Sequence, residues 1–463
     1  MKRPLLALVI TLEVAAHAPL SATQTAGEGS GMSYWGPIAP AHDSVLAAFV
    51  SRPTPAWESA LLVPYHIIGF PLHLFSLGVG TTIELLDESR ALATIGAMLG
   101  PRRGPLGIGI SVQAGALTGF AAGVALEHSA FLRRPGSSLR GRVSISTRGD
   151  HRLSLATRFA EAAGGTIVLS SGYRQRSQAL FFGIGPTATA SGRSFFRQNL
   201  AWVGGAYHRD IGRHFAIAGE TVFSTTGTLT PKPELELPIT TVFASGLPPG
   251  YGEHTRGVSF RATLTHDDTR FTGRPTSGGV RRLRASYFHS TDGAPVSLVT
   301  YRAEAQQFTR LWHPHTVLAL RGMISWIDNA GAGPIPFTRL LTNDDPDLLR
   351  GFNDMRWRDR GLLVLTAEYR WPLWVYERQE GTGLDLYLLT DVGQVFGEFN
   401  DITRENLTVS WGGGLRLLGS RGFGLRIEHA RSDEGSVWRM RTDQVFQFAR
   451  GSLFYGRDPI PAR

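Results

Sequence analysis

Asn343, Asp344, Asp345 and Asp347 crowd four oxygen-bearing side chains into one short stretch, a donor set that a hard cation such as calcium would accept. The plainer reading of that stretch is an acidic, solvated loop. His66 and His73 stand two helical turns apart, and His313 and His315 flank a proline. Neither pair has a third ligand near it, so the first reads as interfacial histidines and the second as turn chemistry rather than as metal sites. No Gly-x-Ser-x-Gly motif and no convincing Ser/His/Asp grouping is present, although a hydrolase built on a barrel rim would leave no such spacing. The chain has no cysteine, which excludes disulfides, thiolate metal sites, a cysteine nucleophile and a lipidated N-terminal cysteine. No metal and no cofactor is expected.

The elements that would have to position any chemistry are strands. Among 463 residues, Gly 55 and an aromatic share of 10% are high for a soluble enzyme, and the several apolar runs of about 20 residues that a helical membrane protein needs are absent. The formal charge of +9 is almost all arginine, Lys2 and Lys232 being the only lysines. These arginines are scattered at alternate positions, not gathered into a phosphate-tracking stripe, which speaks against nucleic acid as a partner. At the N-terminus, Lys2 and Arg3 precede an apolar core from Leu5 to Ala16, and cleavage after Ala22 makes 1–22 a secretory signal peptide. Residues 23–103 form a periplasmic leader. Its apolar stretch from Ala60 to Leu86 is broken by Pro64, His66, Pro71 and His73, and reads as short amphipathic helices at the membrane interface.

From about Gly104 the pattern alternates with a period of two. Leu407, Val409, Trp411, Leu415 and Leu417 share one parity, and Thr408, Ser410 and Arg416 the other; Phe423, Leu425 and Ile427 alternate with Arg426 and Glu428. Two-faced strands of this kind predict an all-β membrane protein, a 16-stranded antiparallel transmembrane β-barrel over 104–454 with a tail at 455–463. The strands are expected near 106–114, 118–128, 138–147, 150–160, 165–184, 194–209, 212–225, 255–268, 278–290, 298–310, 313–327, 361–374, 383–396, 405–418, 422–432 and 442–454. The stretch 165–184 reads as one bent strand or two. Long connections at 226–254 and 328–360 fall on the outer side, and tight ones such as Asp210 to Gly212 on the periplasmic side. A soluble propeller would need a repeat of about 40 to 50 residues, and none is present.

The last third carries a resemblance. Leu348 to Trp374 reads LLRGFNDMRWRDRGLLVLTAEYRWPLW, Leu388 to Phe396 reads LLTDVGQVF, and GGGLRLL and GFGLRIEH follow at 412–418 and 422–429. In order and spacing these motifs resemble the Omp85 (bacterial surface antigen, D15) superfamily, and FFGIGP at 181–186 is similar to an aromatic-Gly element of the same barrels. Leu349 stands where the family has Val, and 23–103 lacks the β-α-α-β pattern of the family's periplasmic POTRA domains.

The resemblance implies that the long outer loop folds back into the lumen. Arg350, Gly351 and Phe352 would be its tip, Asp391 and Glu368 the lumenal acidic partners, and Gly393 the glycine of the Asp-x-Gly strand. Parity agrees: Asp385, Asp391 and Gly393 share a face opposite Leu386, Leu388 and Val392, and Glu368 lies opposite Tyr369 and Trp371. In a partly wet lumen such a clamp would contribute about 1 to 3 kcal/mol. Phe448 and Phe454 resemble a C-terminal assembly signal, so barrel-assembly machinery is an expected partner beside outer-membrane lipids. A seam between 106–114 and the last strand would be weakened by Gly107, Gly109 and Gly451. The function implied is non-enzymatic insertion or translocation of a protein or lipid client at the Gram-negative-type outer membrane. A passive or gated porin-like channel is the second reading and a barrel-rim hydrolase the third.

Overall fold

A computed structural model of the chain describes residues 8–13, 106–115, 119–129, 131–134, 136–231, 237–269, 274–311, 316–344, 347–375, 383–418 and 424–441. Sixteen antiparallel strands form the wall. They are β1 (Leu106–Gly115), β2 (Gly119–Ser129), β3 (Ser137–Ser146), β4 (His151–Ala162), β5 (Gly165–Phe181), β6 (Ser194–Ile211), β7 (Phe215–Leu229) and β8 (His254–Asp267). The second half comprises β9 (Gly278–Ser290), β10 (Ser297–Arg310), β11 (Val317–Asn329), β12 (Gly361–Val375), β13 (Gly383–Phe396), β14 (Thr408–Leu418), β15 (Gly424–Ser432) and β16 (Gly435–Arg441). Each strand pairs with its sequence neighbour. Among the described residues, the first and last strands, β1 and β16, are not paired directly; Leu8–Glu13, from the stretch expected to be a signal peptide, lies between them, parallel to β16 and antiparallel to β1. No helix among the described residues is long and apolar enough to cross a membrane.

The distribution of side chains is inverted relative to a water-soluble protein. Ile145 and Trp411 are 59% and 58% exposed, and Val143, Leu153, Val203, Leu283 and Leu365 also face outward. Arg350, Arg358 and Arg426 are among the largest fully buried side chains. In the strands whose burial is described, one parity thus faces outward, as toward lipid, and the other a polar interior.

Of the two alternatives for 165–184, the bent strand is the one seen: Gly165–Phe181 is one strand with a register shift between Arg176 and Ala179, so a bulge, not a turn, bends it. One strand was not expected: Gly435–Arg441, the last described, follows directly because Asp433 and Glu434 alone make the turn that pairs Ser432 with Gly435, while the expected strand 442–454 lies outside the described residues. The polar run Arg431-Ser-Asp-Glu invites a longer loop, but a hairpin needs only two residues. Phe448, Phe454, Gly451, His66, His73, His313, His315, the leader 23–103 and the tail 455–463 lie outside the described residues.

Strands β5 to β7 are 17, 18 and 15 residues long. At about 3.3 Å per residue they exceed what a membrane crossing of about 10 residues requires, so they rise above the lipid on one side. The loops at that end use the height. Phe181 and Phe182 after β5, Phe195 and Phe196 in β6, Ile239 and Phe337 pack into one apolar cluster, with the Phe337 ring edge-on 5.3 Å from Phe181 and 5.0 Å from Phe196. This aromatic roof covers the long loop 330–360 from above.

Candidate functional site

The loop between β11 and β12 descends as a short ribbon, Leu341–Thr342 paired with Arg358–Asp359, and turns over at Leu348 to Met355. Two residues take left-handed backbone angles there, Leu349 at φ 54° and Met355 at φ 60°, which strains L side chains by roughly 1–2 kcal/mol each. What offsets the strain follows directly after Leu349. The Arg350 backbone N–H donates to Asp391 Oδ2 at 2.9 Å, and its guanidinium donates to the same carboxylate through Nε at 2.9 Å and Nη2 at 2.8 Å. Nη1 donates to Glu368 Oε1 at 2.6 Å and lies 3.6 Å from Glu428 Oε2.

Each partner is itself held. Thr366 Oγ1 donates to Asp391 Oδ1 at 3.0 Å, from the residue paired with Asp391 across β12 and β13. Arg370 donates to Glu368 Oε2 through Nε at 3.0 Å and Nη2 at 2.8 Å. Tyr387 Oη donates to Glu428 Oε2 at 2.9 Å, and a Cβ on Gly414 would lie 2.7 Å from that hydroxyl, so a glycine is needed there. Arg426 Nη2 donates to Asp347 Oδ1 at 2.6 Å, tying the loop's descending arm to β15. The network sets Arg350, Arg370, Arg426 and Arg439 against Asp347, Asp354, Glu368, Asp391 and Glu428. Ion pairs that are also hydrogen-bonded are what allows charge to be buried.

The glycines of the loop and strand motifs have steric reasons. A Cβ on Gly351 would lie 2.5 Å from Ser410 Cβ and 2.9 Å from the Arg431 carbonyl, so only glycine lets the tip lie flat on β14 and β15. Gly351 O in turn accepts from Ser432 Oγ at 2.9 Å. A Cβ on Gly393 would approach Leu363 O at 2.5 Å and Leu349 Cδ2 at 3.1 Å, so Gly393 leaves room for the strained residue before Arg350. Phe352 is buried beside Trp357, ring centroids 5.9 Å apart, in a cluster with Leu348, Leu362, Val364 and Val395.

The structure thus brings Arg350, Asp391 and Glu368 together and seats Gly351, Phe352 and Gly393 around them. One expectation changes: Arg350 and Asp391 are 0% exposed, so the clamp is sealed and not partly wet, and the larger energy of a buried pair applies. Two members of the acidic stretch hold the loop together: Asn343 donates to Asn353 O at 2.9 Å and accepts from the Trp357 N–H at 3.0 Å, and Asp347 is the ion partner of Arg426; Asp345 lies outside the described residues.

Sequence reasoning missed four charged participants, Arg370, Arg426, Glu428 and Arg439. Glu428 and Arg426 have lumenal parity, but nothing in their spacing points at Arg350. Arg439, which lies between the expected strands 422–432 and 442–454, donates to Arg350 O, and through Nη2 to Phe352 O and Asp354 Oδ1, both at 3.0 Å. Nor could the sequence connect FFGIGP with the loop: the Gly185 N–H donates to Arg358 O at 2.9 Å, and the Arg358 guanidinium lies over the Phe181 and Phe337 rings.

With this geometry in hand, the comparisons are concordant. Residues 246–454 match the model of the Omp85 superfamily domain. A solved BamA from Haemophilus ducreyi lacking POTRA domains 1–3 is similar in fold, with TM-score 0.53 and 13% identity over 73% of this chain and 69% of that one. CdiB from Escherichia coli gives TM-score 0.49 and 12% identity over 73% of this chain and 61% of its own length. CdiB from Acinetobacter baumannii gives 0.43 and 12% over 70% and 55%. No curated protein matches the chain in sequence.

Proposed function

We propose that this chain, which carries an Omp85 superfamily domain within an outer-membrane β-barrel fold, acts without enzymatic chemistry in the insertion or translocation of a protein or lipid client. The observation that carries the reading is the pinned loop. A passive pore gains nothing from a strained segment locked inside its lumen, whereas a barrel that must stay sealed while its wall works needs both a plug and an internal brace. Arg350 is the brace: its guanidinium joins β12 to β13, and its carbonyl is held by Arg439 of the edge strand β16. Through this one loop residue the edge of the sheet is coupled to its interior.

In the same proposal, residues 1–22 direct export, 23–103 stay periplasmic, and Phe448 and Phe454 present the chain to assembly machinery. The test is an insertion assay. The refolded protein is reconstituted in vesicles, and a second, urea-unfolded outer-membrane barrel is added. Folding of that client faster than in empty vesicles, and slowed by Arg350→Ala, supports the reading. Equal rates with and without the protein, together with a steady open conductance, would replace it with the porin-like channel.

A further inference from the structure

The connection between β8 and β9 is longer than its strands need. Their ladder runs to Asp267 and Val280. Just beyond it the Asp268 N–H donates to Gly279 O at 3.1 Å, and the Gly279 N–H donates to Asp268 Oδ1 at 2.6 Å. Two residues would close a hairpin from there. The chain carries 269–278 instead, at the end of the barrel opposite the outer loop 330–360.

The described part of this turn, 274–276, is buried, with Arg274 at 5% and Thr276 at 3% exposure. Arg274 Nη2 donates to Asp385 Oδ1, and Arg416 Nη2 donates to Asp385 Oδ2 at 2.7 Å. One carboxylate of β13 is thus gripped between the turn and β14, each oxygen taking a charge-assisted bond. Thr276 Oγ1 accepts from Arg310 Nη2 at 3.3 Å, which ties the returning arm to the end of β10. Between the two contacts Pro275 fixes its own φ near −65° and stiffens the segment.

In the sheet, β10, β11 and β12 stand between β9 and β13. At about 4.8 Å between neighbours, the four steps make roughly 19 Å of wall, beyond the reach of a side chain on β9. The turn therefore folds away from its own strands and over the lumen to meet Asp385, which has the inward parity of Asp391.

We propose that this turn is a second closure of the barrel, set across the mouth of the lumen opposite the outer loop and latched to Asp385 by Arg274, a positioning residue. The two closures then act at opposite ends of one lumen. The proposal stands apart from the insertion reading, since it rests on residues outside the Arg350 clamp.

The test uses the refolded full chain in planar bilayers. With the outer loop released by Arg350→Ala, the turn should hold the leak to a small conductance, and adding Arg274→Gln should raise it. Exchanging the pair, Arg274→Asp with Asp385→Arg, keeps one carboxylate between two guanidinium groups and should bring the conductance back down. Arg404→Gln, at an exposed position of an outer loop, should leave it unchanged. Heat-modifiability on gels reports whether each variant has folded. A second measurement needs no Arg350 variant. Hydrogen exchange across 274–279 should quicken by about tenfold or more in Arg274→Gln, the scale of one lost charge-assisted hydrogen bond, while 345–356 keeps its wild-type rate. Equal conductance of folded Arg350→Ala with and without Arg274→Gln, failure of the folded exchanged pair to lower it, or unchanged exchange across 274–279 would overturn the proposal.

Discussion

Arg350 and Asp391 are 41 positions apart in the chain, yet one carboxylate of Asp391 accepts three hydrogen bonds from Arg350, one of them from the backbone N–H. The pair therefore fixes the direction of the main chain as well as a side chain. Its charge is buried on both sides, and the second carboxylate, Glu368, is tied back by Arg370.

Removal of either partner should be severe. Arg350→Ala or Asp391→Ala leaves an uncompensated buried charge and is expected to destabilise the barrel by about 3–5 kcal/mol. Urea unfolding followed by gel mobility of unheated samples measures the loss. The double variant should be less destabilised than the sum of the singles, since the two residues act as one unit. Planar-bilayer recordings should turn from quiet to leaky in Arg350→Ala; equal, steady conductance in both proteins would refute the plug.

Gly351→Ala tests the close approach of the loop tip to β14 and β15. The added methyl meets Ser410 Cβ and the Arg431 backbone, and neither is the far end of a flexible side chain. The loop should lift, with a loss of about 1–3 kcal/mol and faster protease cleavage within 345–356. Gly219→Ala, whose Cβ would meet nothing within 4 Å, is the matched control and should be silent.

Arg439→Ala addresses the link between loop and sheet edge. It deletes the donors to the carbonyls of Arg350 and Phe352 while leaving the Arg350 carboxylate contacts in place. A loss of about 1.5–3 kcal/mol is expected. Hydrogen exchange should quicken at the loop amides and in β16 together. Faster exchange in β16 alone would mean that the loop is not coupled to the edge.

Asp359 gives the outer loop a pH dependence. Burial raises its carboxyl above the ordinary 3.8, and the nearby Asp401 pushes the same way against the opposing Arg360 N–H. The folded loop thus binds this proton more tightly than the unfolded chain, so its contribution is greatest below about 3.8 and falls as pH rises through the raised folded value. Protection of the loop from protease should decline over that window in wild type. In Asp359→Asn, which keeps an acceptor for the Arg360 N–H, the decline should flatten.

Much of the wall was legible because a barrel strand is written locally. Side chains alternate between lipid and lumen, so Leu365 against Thr366 and Glu368, or Leu388 against Asp391, reveals both the strand and its two faces without any knowledge of neighbours. The one unexpected strand, β16, was missed for a local reason as well: its turn holds two residues inside a polar run that reads as loop. Arg350, Asp391 and Glu368 were named through a family resemblance in the motifs. Their meeting is a matter of loop descent, which no spacing encodes.

The amino-acid sequence by itself determined the alternation of most strands and the inward face of Glu368, Asp385 and Asp391. Tertiary structure alone decided which of those inward charges meet. Glu428 and Arg439 reach the loop because β15 and β16 curve round to it, and Arg358 meets the Phe181 ring because two distant loops share one roof. Arg274 meets Asp385 because one turn leaves its own strands for β13. Parity is a property of neighbouring residues in one chain segment, whereas a charge network depends on the closing curvature of the whole wall and on the strain that one buried loop can bear.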